Sequence, residues 1–168
     1  YQAGHAQVWR DAINQWFAKT SGIADEKGRV DHYPGRTEAE SMQLTGYRIV
    51  YVQPWEGASK GKAVECPADR CEASFRYEGK PGWCDIDVQY FDANNGVSTY
   101  RLIVNSQPIA EWIADDNIPT AAINAHSSTR HRTRGVALRP GDTIRIEGVP
   151  NAGERAGLDY IEIHPARP

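Results

Sequence analysis

Two short acidic motifs lie at the start and at the end of the strand-rich part of the chain. TEAES places Glu38 and Glu40 two residues apart, and GLDYIEI contains Asp159. Alternate residues of a strand project to one face, so Glu38 and Glu40 are predicted to share a face. If the first and last strands pair, the three carboxylates converge into a set of oxygen donors that suits Ca²⁺. Solvated surface acids, or the acid and base of a glycosidase, are the alternatives.

A second group of residues could bind a sugar. Such a site needs an aromatic ring for the C–H face of a pyranose and fixed polar groups for its hydroxyls. Trp112, which precedes a long loop predicted over 114–133, and Trp55, in QPWEGAS, are the predicted platforms, with core packing as the alternative for Trp112. Asn95 in DANNG, Asp115 at the start of the long loop and Asn151 in NAGERAG are predicted to supply polar contacts.

The stretch STRHRTRG is locally basic. It contains Arg130, Arg132 and Arg134 together with His131. A guanidinium can hold a carboxylate through two parallel hydrogen bonds, so Arg130 is predicted to contact an acidic sugar or an acidic neighbouring surface. The alternative is a charged strand edge that blocks aggregation.

The sequence lacks several of the common catalytic motifs. There is no His-Glu-x-x-His, P-loop or Gly-x-Gly-x-x-Gly. The adjacent pair Asp115 and Asp116 is the best placed for acid chemistry, but neighbouring side chains diverge in an extended segment. We therefore predict a non-catalytic domain.

The elements that would position these residues are mostly strands. Apolar residues at helical spacing predict an amphipathic helix from His5 to Thr20, and the polar segment Ala24–Arg36 is predicted to be a linker. Short runs rich in Val, Ile, Tyr and Phe then recur about every ten residues. The predicted strands are Thr37–Leu44, Tyr47–Gln53, Gly61–Cys66, Glu72–Tyr77, Cys84–Phe91, Ser98–Val104, Gln107–Ala114, Arg134–Leu138, Asp142–Gly148 and Gly157–His164.

The pattern predicts an all-β fold, an antiparallel β-sandwich of the jelly-roll kind with an N-terminal α-helical appendage. The predicted domains are a helix and linker over 1–35 and a sandwich over 36–165. Trp83, which follows GKPG, is predicted to cover an edge of the sandwich.

Composition narrows the partners and the compartment. The chain has 168 residues, a net charge of −3 and no apolar run long enough for a membrane span, so neither nucleic acid nor a membrane is an expected partner. Cys66 and Cys71 flank a short loop, CPADRC, and either form a disulfide or remain reduced thiols; Cys84 is predicted to be a small buried residue. A disulfide would agree with a secreted protein.

Five motifs in order resemble those of family 35 carbohydrate-binding modules and their family 6 and 36 relatives. They are TEAESMQLTGYRIV, ASKGKAVEC, CDIDVQYFDANNG with YRLIVNSQPIAEW, LRPGDTIRIEG and AGLDYIEI, and they cover residues 36–165. The N-terminal segment WRDAINQWFAKTSGIADEKGRVDHYPGR resembles the one that joins the catalytic body of family 115 glycoside hydrolases, the xylan α-glucuronidases, to a C-terminal sandwich.

The resemblance implies a non-catalytic module that binds polysaccharide of the xylan or uronic-acid type and holds a structural calcium. In these modules the opening Glu-x-Glu, carbonyls near the Ser-x-Gly-Lys turn and the closing Asp hold the ion, which here are Glu38, Glu40, the segment 59–62 and Asp159. Family members often have Asn before the closing Leu-Asp, whereas this chain has Gly157. The alternative is a structural accessory domain of an α-glucuronidase, which would make a catalytic domain its partner within one longer protein.

Overall fold

The computed structural model describes residues 7–16, 33, 35–116 and 118–167, in two compact units over 1–34 and 35–168. In the first unit, residues 7–16 form helix α1, which lies inside the predicted helix. The remainder of the predicted helix and most of the predicted linker lie outside the described residues. None of the described helices is long and apolar enough to cross a bilayer.

The second unit is an antiparallel sandwich of two sheets, as predicted. The first sheet has the order β3-β4-β11-β6-β9, with β1 also paired to β11, and the second has the order β2-β5-β10-β7-β8. The strands are β1 Arg36–Glu38, β2 Gln43–Thr45, β3 Arg48–Tyr51, β4 Lys62–Glu65, β5 Cys71–Arg76, β6 Gly82–Phe91, β7 Thr99–Val104, β8 Gln107–Ile113, β9 Ser128–Leu138, β10 Thr143–Val149 and β11 Leu158–Pro165.

Alternating side chains divide each strand between the core and the outer face. On β6, Ile86 and Val88 are fully buried, and on β10, Ile144 and Ile146 are buried in the same way. They share one cluster with the fully buried Tyr100 of β7. Burial of this apolar surface between the sheets is the main stabilising contribution and fixes the position of every strand end.

The predicted first strand, Thr37–Leu44, is wrong in its extent. After β1 the chain forms a 3₁₀ turn, Ala39–Ser41, in which the Ser41 hydroxyl donates to the Glu38 carbonyl (2.7 Å) and Met42 N–H donates to the Ala39 carbonyl (3.1 Å). The turn passes the chain from the first sheet to the second. Ala39, fully buried, is small enough to lie under this crossing.

The predicted loop over 114–133 is also longer than the loop observed. Strand β9 begins at Ser128 and pairs with β6 along its whole length, from Phe91↔Ser128 to Gly82↔Leu138. The residues in its first half are all polar. This half therefore lacks the alternation of apolar and polar residues by which a strand is recognised in a sequence.

Cys66 and Cys71 form the predicted disulfide, with Cα atoms 5.7 Å apart, and Cys84 is a buried free cysteine. The bond closes the loop between β4 in one sheet and β5 in the other. It therefore links the two sheets covalently at one end of the sandwich.

Candidate functional site

The pairing of the first and last strands brings the predicted acidic residues together. Glu38 lies opposite Tyr160 in the register of β1 and β11, one position from Asp159. Ser59 connects them, because its hydroxyl donates to Glu38 Oε1 (2.9 Å) and its backbone N–H donates to Asp159 Oδ1 (2.9 Å). Glu40 comes from the 3₁₀ turn and not from a shared strand face. The turn thus brings Glu40 near the two strands by another route than the predicted strand alternation, although the three acids are not among the described residues whose ligand atoms all lie within 4.8 Å of one another.

The acidic site has more negative charge than its protein donors can balance. Oε2 of Glu38 and Oε2 of Glu40 are buried without a hydrogen-bond partner. Burial, followed by the charges of Glu38 and Glu40, raises the pKa of Asp159 to about 7 against the opposing Ser59 N–H. Burial also raises the pKa of Glu38 above its ordinary value. Such a site favours either protons or a bound cation.

The residues present fit calcium. Ca²⁺ takes six to eight oxygen ligands, mainly carboxylates and carbonyls, and two buried carboxylate oxygens here have no donor of their own. The turn at Ser59–Gly61, whose carbonyls the family resemblance implies as ligands, is tightly curved, with a φ of 53° at Lys60 and 68° at Gly61.

A second charged cluster lies on the outer face of the first sheet. Among the described residues it is the group in which three possible ligand atoms, from Asp87, Glu162 and His164, all lie within 4.8 Å of one another. Arg132 already donates to both oxygens of Asp87 (2.6 and 2.7 Å), and Arg36 donates to Glu162 (2.6 and 2.8 Å). A cation would have to displace these guanidinium groups, so we interpret the cluster as an ion-pair network.

Asp87 shows the electrostatic balance of that network. Its side chain is fully buried, which by itself raises the pKa, but the hydrogen bonds and charge of Arg132 and the charges of Arg130 and His164 outweigh burial and lower it. Asp87 therefore remains ionised although its side chain is buried.

Arg130 belongs to the same face. It donates to Gln89 Oε1 (3.0 Å) and to the Tyr160 hydroxyl (3.0 Å), and a longer contact of 3.4 Å reaches Asp87. The structure does not place Arg130 among the residues of the loop cleft described below. Its predicted contact with an acidic ligand stays a prediction for the sheet face.

A cleft of about 310 Å³ lies at the loop end of the sandwich. Its apolar wall contains Val50 and Phe91 from the strands, Val52 just after β3 and Ile123 from the loop before β9. Its polar residues are Tyr51, Glu65, Glu154 and Arg155.

Tyr51 and Arg155 are the residues of the cleft that are best suited to a ligand. The Tyr51 side chain is 77% exposed at the end of β3. Glu65 is paired with Arg48, whereas none of the described ion pairs involves Arg155. An exposed ring and an unpaired guanidinium in one cleft can stack on a sugar and hold its carboxylate.

Sequence reasoning missed both residues. The alternation of RIVYV, with Val50 and Val52 directed inward, indicates that Tyr51 points outward, and Arg155 lies in NAGERAG, the same loop as the predicted contact residue Asn151. The signals were present, but only the assembled loops show that the two residues line one cleft.

The predicted polar contacts lie in loops around the cleft. Asn151 accepts the Val97 N–H with its side-chain oxygen (3.0 Å), and the Asn95 carbonyl accepts the Gly153 N–H (2.9 Å). These bonds connect the loop after β6 to the loop after β10. They give Asn95 and Asn151 a structural contribution, and their predicted ligand contacts remain predictions.

Two buried acids, which the sequence analysis did not select, hold the same loops. Glu154 accepts N–H bonds from Ala93 (3.0 Å) and Ser98 (2.7 Å). Asp92, only 1% exposed, accepts the Asp116 N–H (3.1 Å), and its other oxygen is buried without a partner. Burial, with the charges of Asp116 and the exposed Asp115, raises the pKa of Asp92. The contribution of Asp115 at this place is thus its charge, which helps to raise the pKa of Asp92.

The two predicted tryptophan platforms are placed differently. Trp112 stacks in parallel with Tyr100 (5.5 Å between centroids) and with His131 (4.0 Å), so the indole joins the edges of the two sheets. Trp55 is 56% exposed but covers Gly61, where an added Cβ would lie 2.2 Å from the indole. Neither indole lines the loop cleft.

Gly157 lies where the family resemblance implies Asn, and it lines the cleft. An added Cβ would lie 3.0 Å from Ile123 Cδ1 and 3.2 Å from Phe91 Cδ2. The absent side chain therefore lets Ile123 close the bottom of the cleft, so a polar contact is replaced by an apolar wall.

We predict that Gly157→Ala lowers stability by about 1 kcal/mol, because overpacking costs about 1 to 3 kcal/mol and the loss of glycine flexibility returns about 0.4 to 1 kcal/mol. Urea denaturation of the variant measures this. The same substitution in an Ile123→Ala background should cost clearly less, because the nearer of the two close contacts is gone and only that with Phe91 remains. Equal destabilisation in both backgrounds would contradict the assigned contact.

No family model matches the chain. The curated proteins provide relatives: the chain is 41% identical over 172 residues to the probable alpha-glucuronidase A of Aspergillus flavus and 38% identical over 173 residues to alpha-glucuronidase A of Aspergillus tubingensis. Each alignment covers 98% of this chain, and 20% and 21% of the respective relatives. The chain thus spans about a fifth of the length of the relatives it matches. The names of these relatives do not state a glycoside hydrolase family.

Solved structures with the same fold include carbohydrate-binding modules. A family 35 module from Clostridium thermocellum superposes with a TM-score of 0.60 at 11% identity, over 80% of this chain and all of that one. The CBM36-1 domain of a xylanase from the hindgut metagenome of Trinervitermes trinervoides gives 0.54 at 17% identity, over 79% and 98%. At these identities the likeness shows the fold.

Proposed function

We propose that this chain, a sequence relative of one segment of the fungal alpha-glucuronidases with the fold of family 35 and 36 modules, is a non-catalytic, calcium-stabilised carbohydrate-binding domain. Its ligand is a xylan-type polysaccharide with uronic acid groups. The observation that carries the proposal is the loop cleft, in which an exposed Tyr51 lies with an Arg155 that has no described ion pair.

The cleft supports an acidic ligand in particular. A tyrosine ring offers a face for the C–H side of a pyranose, and a guanidinium offers two parallel donors for a carboxylate. The apolar wall of Val52, Phe91 and Ile123 excludes water from one side and strengthens these polar contacts. A domain of a secreted enzyme that cleaves plant polysaccharide would use such a cleft to remain on its substrate.

Calcium is the proposed structural ion. Glu38, Glu40 and Asp159 would hold it, supported by the orphaned buried oxygens at this site. The ion would join β1, the 3₁₀ turn and β11, and the Ser59 bonds already connect these elements to the turn before β4. It would fix the scaffold and lies outside the residues that line the cleft.

The test is calorimetric titration of the chain, in calcium, with xylotetraose and with the same oligosaccharide carrying one glucuronic acid. We expect the acidic oligosaccharide to bind more tightly, and the difference to shrink at high salt because it arises from an ion pair. If neither oligosaccharide binds, the proposal fails.

A structural accessory role is the second candidate. Helix α1 exposes Val8 and Trp9, the latter at 71%, and the relatives contain about four times as much chain again. Exposed apolar groups of this kind mark a docking surface. This role predicts no oligosaccharide binding. It also predicts that Trp9→Ser destabilises a longer protein in which this chain is joined to a catalytic domain.

We predict that calcium stabilises the protein more strongly as the pH rises from about 5 to about 8, because ligand carboxylates must be deprotonated. The ordinary pKa of Asp159 is 3.8, and its raised value in the metal-free fold is about 7. The metal-free fold thus holds a proton more tightly than the unfolded chain, and its stability falls as the pH rises through that interval.

The measurement compares thermal midpoints of calcium-loaded protein and of protein stripped on a chelating resin, at several pH values. The difference should grow up to about pH 8 and then level off. A difference that is independent of pH would contradict Asp159 as a ligand.

A further inference from the structure

The end of the sandwich opposite the loop cleft carries an exposed tryptophan. Trp83, at the start of β6, is 67% exposed, whereas Trp112 stacks on two rings. Phe91 at the other end of β6 lines the loop cleft, so the ten-residue strand separates the two places by about 30 Å. Trp83 therefore cannot be part of the loop cleft.

Trp83 lines a concavity of about 430 Å³ that also contains polar groups. Asn105, Arg139 and Asp142 come from the turns that follow β7 and β9, and the apolar remainder consists of Pro81, Gly82, Ala137 and Leu138. This volume lies within the range of small-ligand sites. Leu138 is only 1% exposed, so the indole is the one large apolar group there that is accessible to a ligand.

The polar groups are fixed by the fold. The Asn105 side chain donates to Asp142 Oδ1 (3.1 Å) and accepts the Thr143 N–H (3.0 Å), and Asp142 Oδ2 accepts the Arg139 N–H (2.8 Å). Each Asp142 oxygen still has a free acceptor position, and the Asn105 amide has a second N–H. The Asn105 and Asp142 side chains are therefore held in place before any ligand binds, and the Arg139 guanidinium, which is in none of the described ion pairs, lies beside them.

The concavity continues into a neighbouring one. A second depression of about 440 Å³ shares Asn105, Ala137 and Asp142 with it and extends to Ile109 and Arg134. Together they form a groove that starts at the Trp83 indole and passes the fixed polar groups. The two adjoining depressions offer room for more than one sugar ring.

We propose that this basal groove is a second carbohydrate site, which binds a β-1,4-linked pyranose oligosaccharide with one ring stacked on Trp83. Asp142, Asn105 and Arg139 bind its hydroxyls. A protein-docking core would require a contiguous apolar patch, whereas here the exposed apolar groups, Trp83 and Ile109, are separated by the hydrogen-bonded Asn105 and Asp142. The inference adds a site to the proposed function and uses none of the cleft residues. Two sites on opposite ends would let one domain bridge two polysaccharide chains.

The test is NMR titration of the ¹⁵N-labelled chain with xylohexaose, in which each indole N–H gives its own signal. The Trp83→Phe variant identifies the Trp83 signal by its disappearance and keeps an aromatic face. We expect xylohexaose to shift this signal in the wild type and equally in a Tyr51→Ala variant, whose loop cleft is impaired.

Trp83→Ala in the Tyr51→Ala background should weaken the remaining affinity by tenfold or more, while Trp83→Phe should retain most of it, because stacking area is the main contribution. The side chain is largely exposed, so the thermal midpoint of Trp83→Ala should change little. Exposed Val97→Ala, at the other end of the sandwich, is the matched control.

The outcomes separate the two sites. Shifts at the cleft with no shift at Trp83 overturn the basal site and leave the proposed function intact. Shifts at Trp83 alone support the basal site, and the cleft is then tested by the titration with the glucuronic acid-bearing xylotetraose. If neither responds to xylohexaose at millimolar concentration, the basal site is refuted and Trp83 is better explained as a protein-docking residue.

Discussion

Removal of calcium is expected to lower the thermal midpoint of the protein by about 5 to 11 °C, since an ion at one hundred times its Kd contributes about 2.7 kcal/mol and 1 kcal/mol moves the midpoint of a domain of this size by about 2 to 4 °C. The reason is electrostatic. Without the ion, Glu38, Glu40 and Asp159 repel one another in a buried site where two oxygens lack any donor. Differential scanning calorimetry with and without chelator measures the shift.

Glu40→Gln is expected to shift the thermal midpoint in opposite directions in the metal-free protein and in excess calcium. In the metal-free protein Glu40→Gln removes one of the repelling charges and should raise the midpoint. In excess calcium the same variant loses a ligand and should lower it. Glu56→Gln, an exposed acid in the 3₁₀ turn Trp55–Gly57 nearby, is the control and should change neither. If Glu40→Gln has the same effect in both conditions, no calcium binds at this site.

Replacement of Tyr51 by Ala is expected to weaken binding of glucuronic acid-substituted xylotetraose by roughly 30-fold, because a sugar stacked on the ring gains about 2 kcal/mol from buried apolar area and ring contact. Tyr51→Phe should keep most of the affinity, since the ring face remains. Isothermal titration calorimetry gives both values directly.

Ile49→Ala is the matched control for Tyr51. Ile49 lies two positions earlier on β3, is exposed to 48% and does not line the cleft. Its replacement should leave the affinity unchanged. If Tyr51→Ala binds as well as the wild type while Ile49→Ala does not, the ligand lies on the outer face of β3 and the cleft has been assigned wrongly.

The sequence was sufficient to predict the sandwich and the pairing of its first and last strands, and it left the disulfide as one of two alternatives. Strand alternation, as in CDIDVQY, is a local pattern that reports which side faces the core, and Ile86 and Val88 are indeed fully buried. The short loop between Cys66 and Cys71 allowed a disulfide or two reduced thiols, and the folded chain has the disulfide. The acids required one further assumption, the pairing of the first and last strands, and that assumption is confirmed.

What only the tertiary structure decided is which side chains from distant segments meet. Tyr51 and Arg155 are about a hundred positions apart and line one cleft because β4 and β11 bring their loops to the same end of the sandwich. Trp112, attractive as a platform by its place in the sequence, stacks with His131 of the opposite sheet. Periodicity gives a residue its side of a strand, but the partner it meets depends on sheet order and loop packing, which are properties of the whole folded chain.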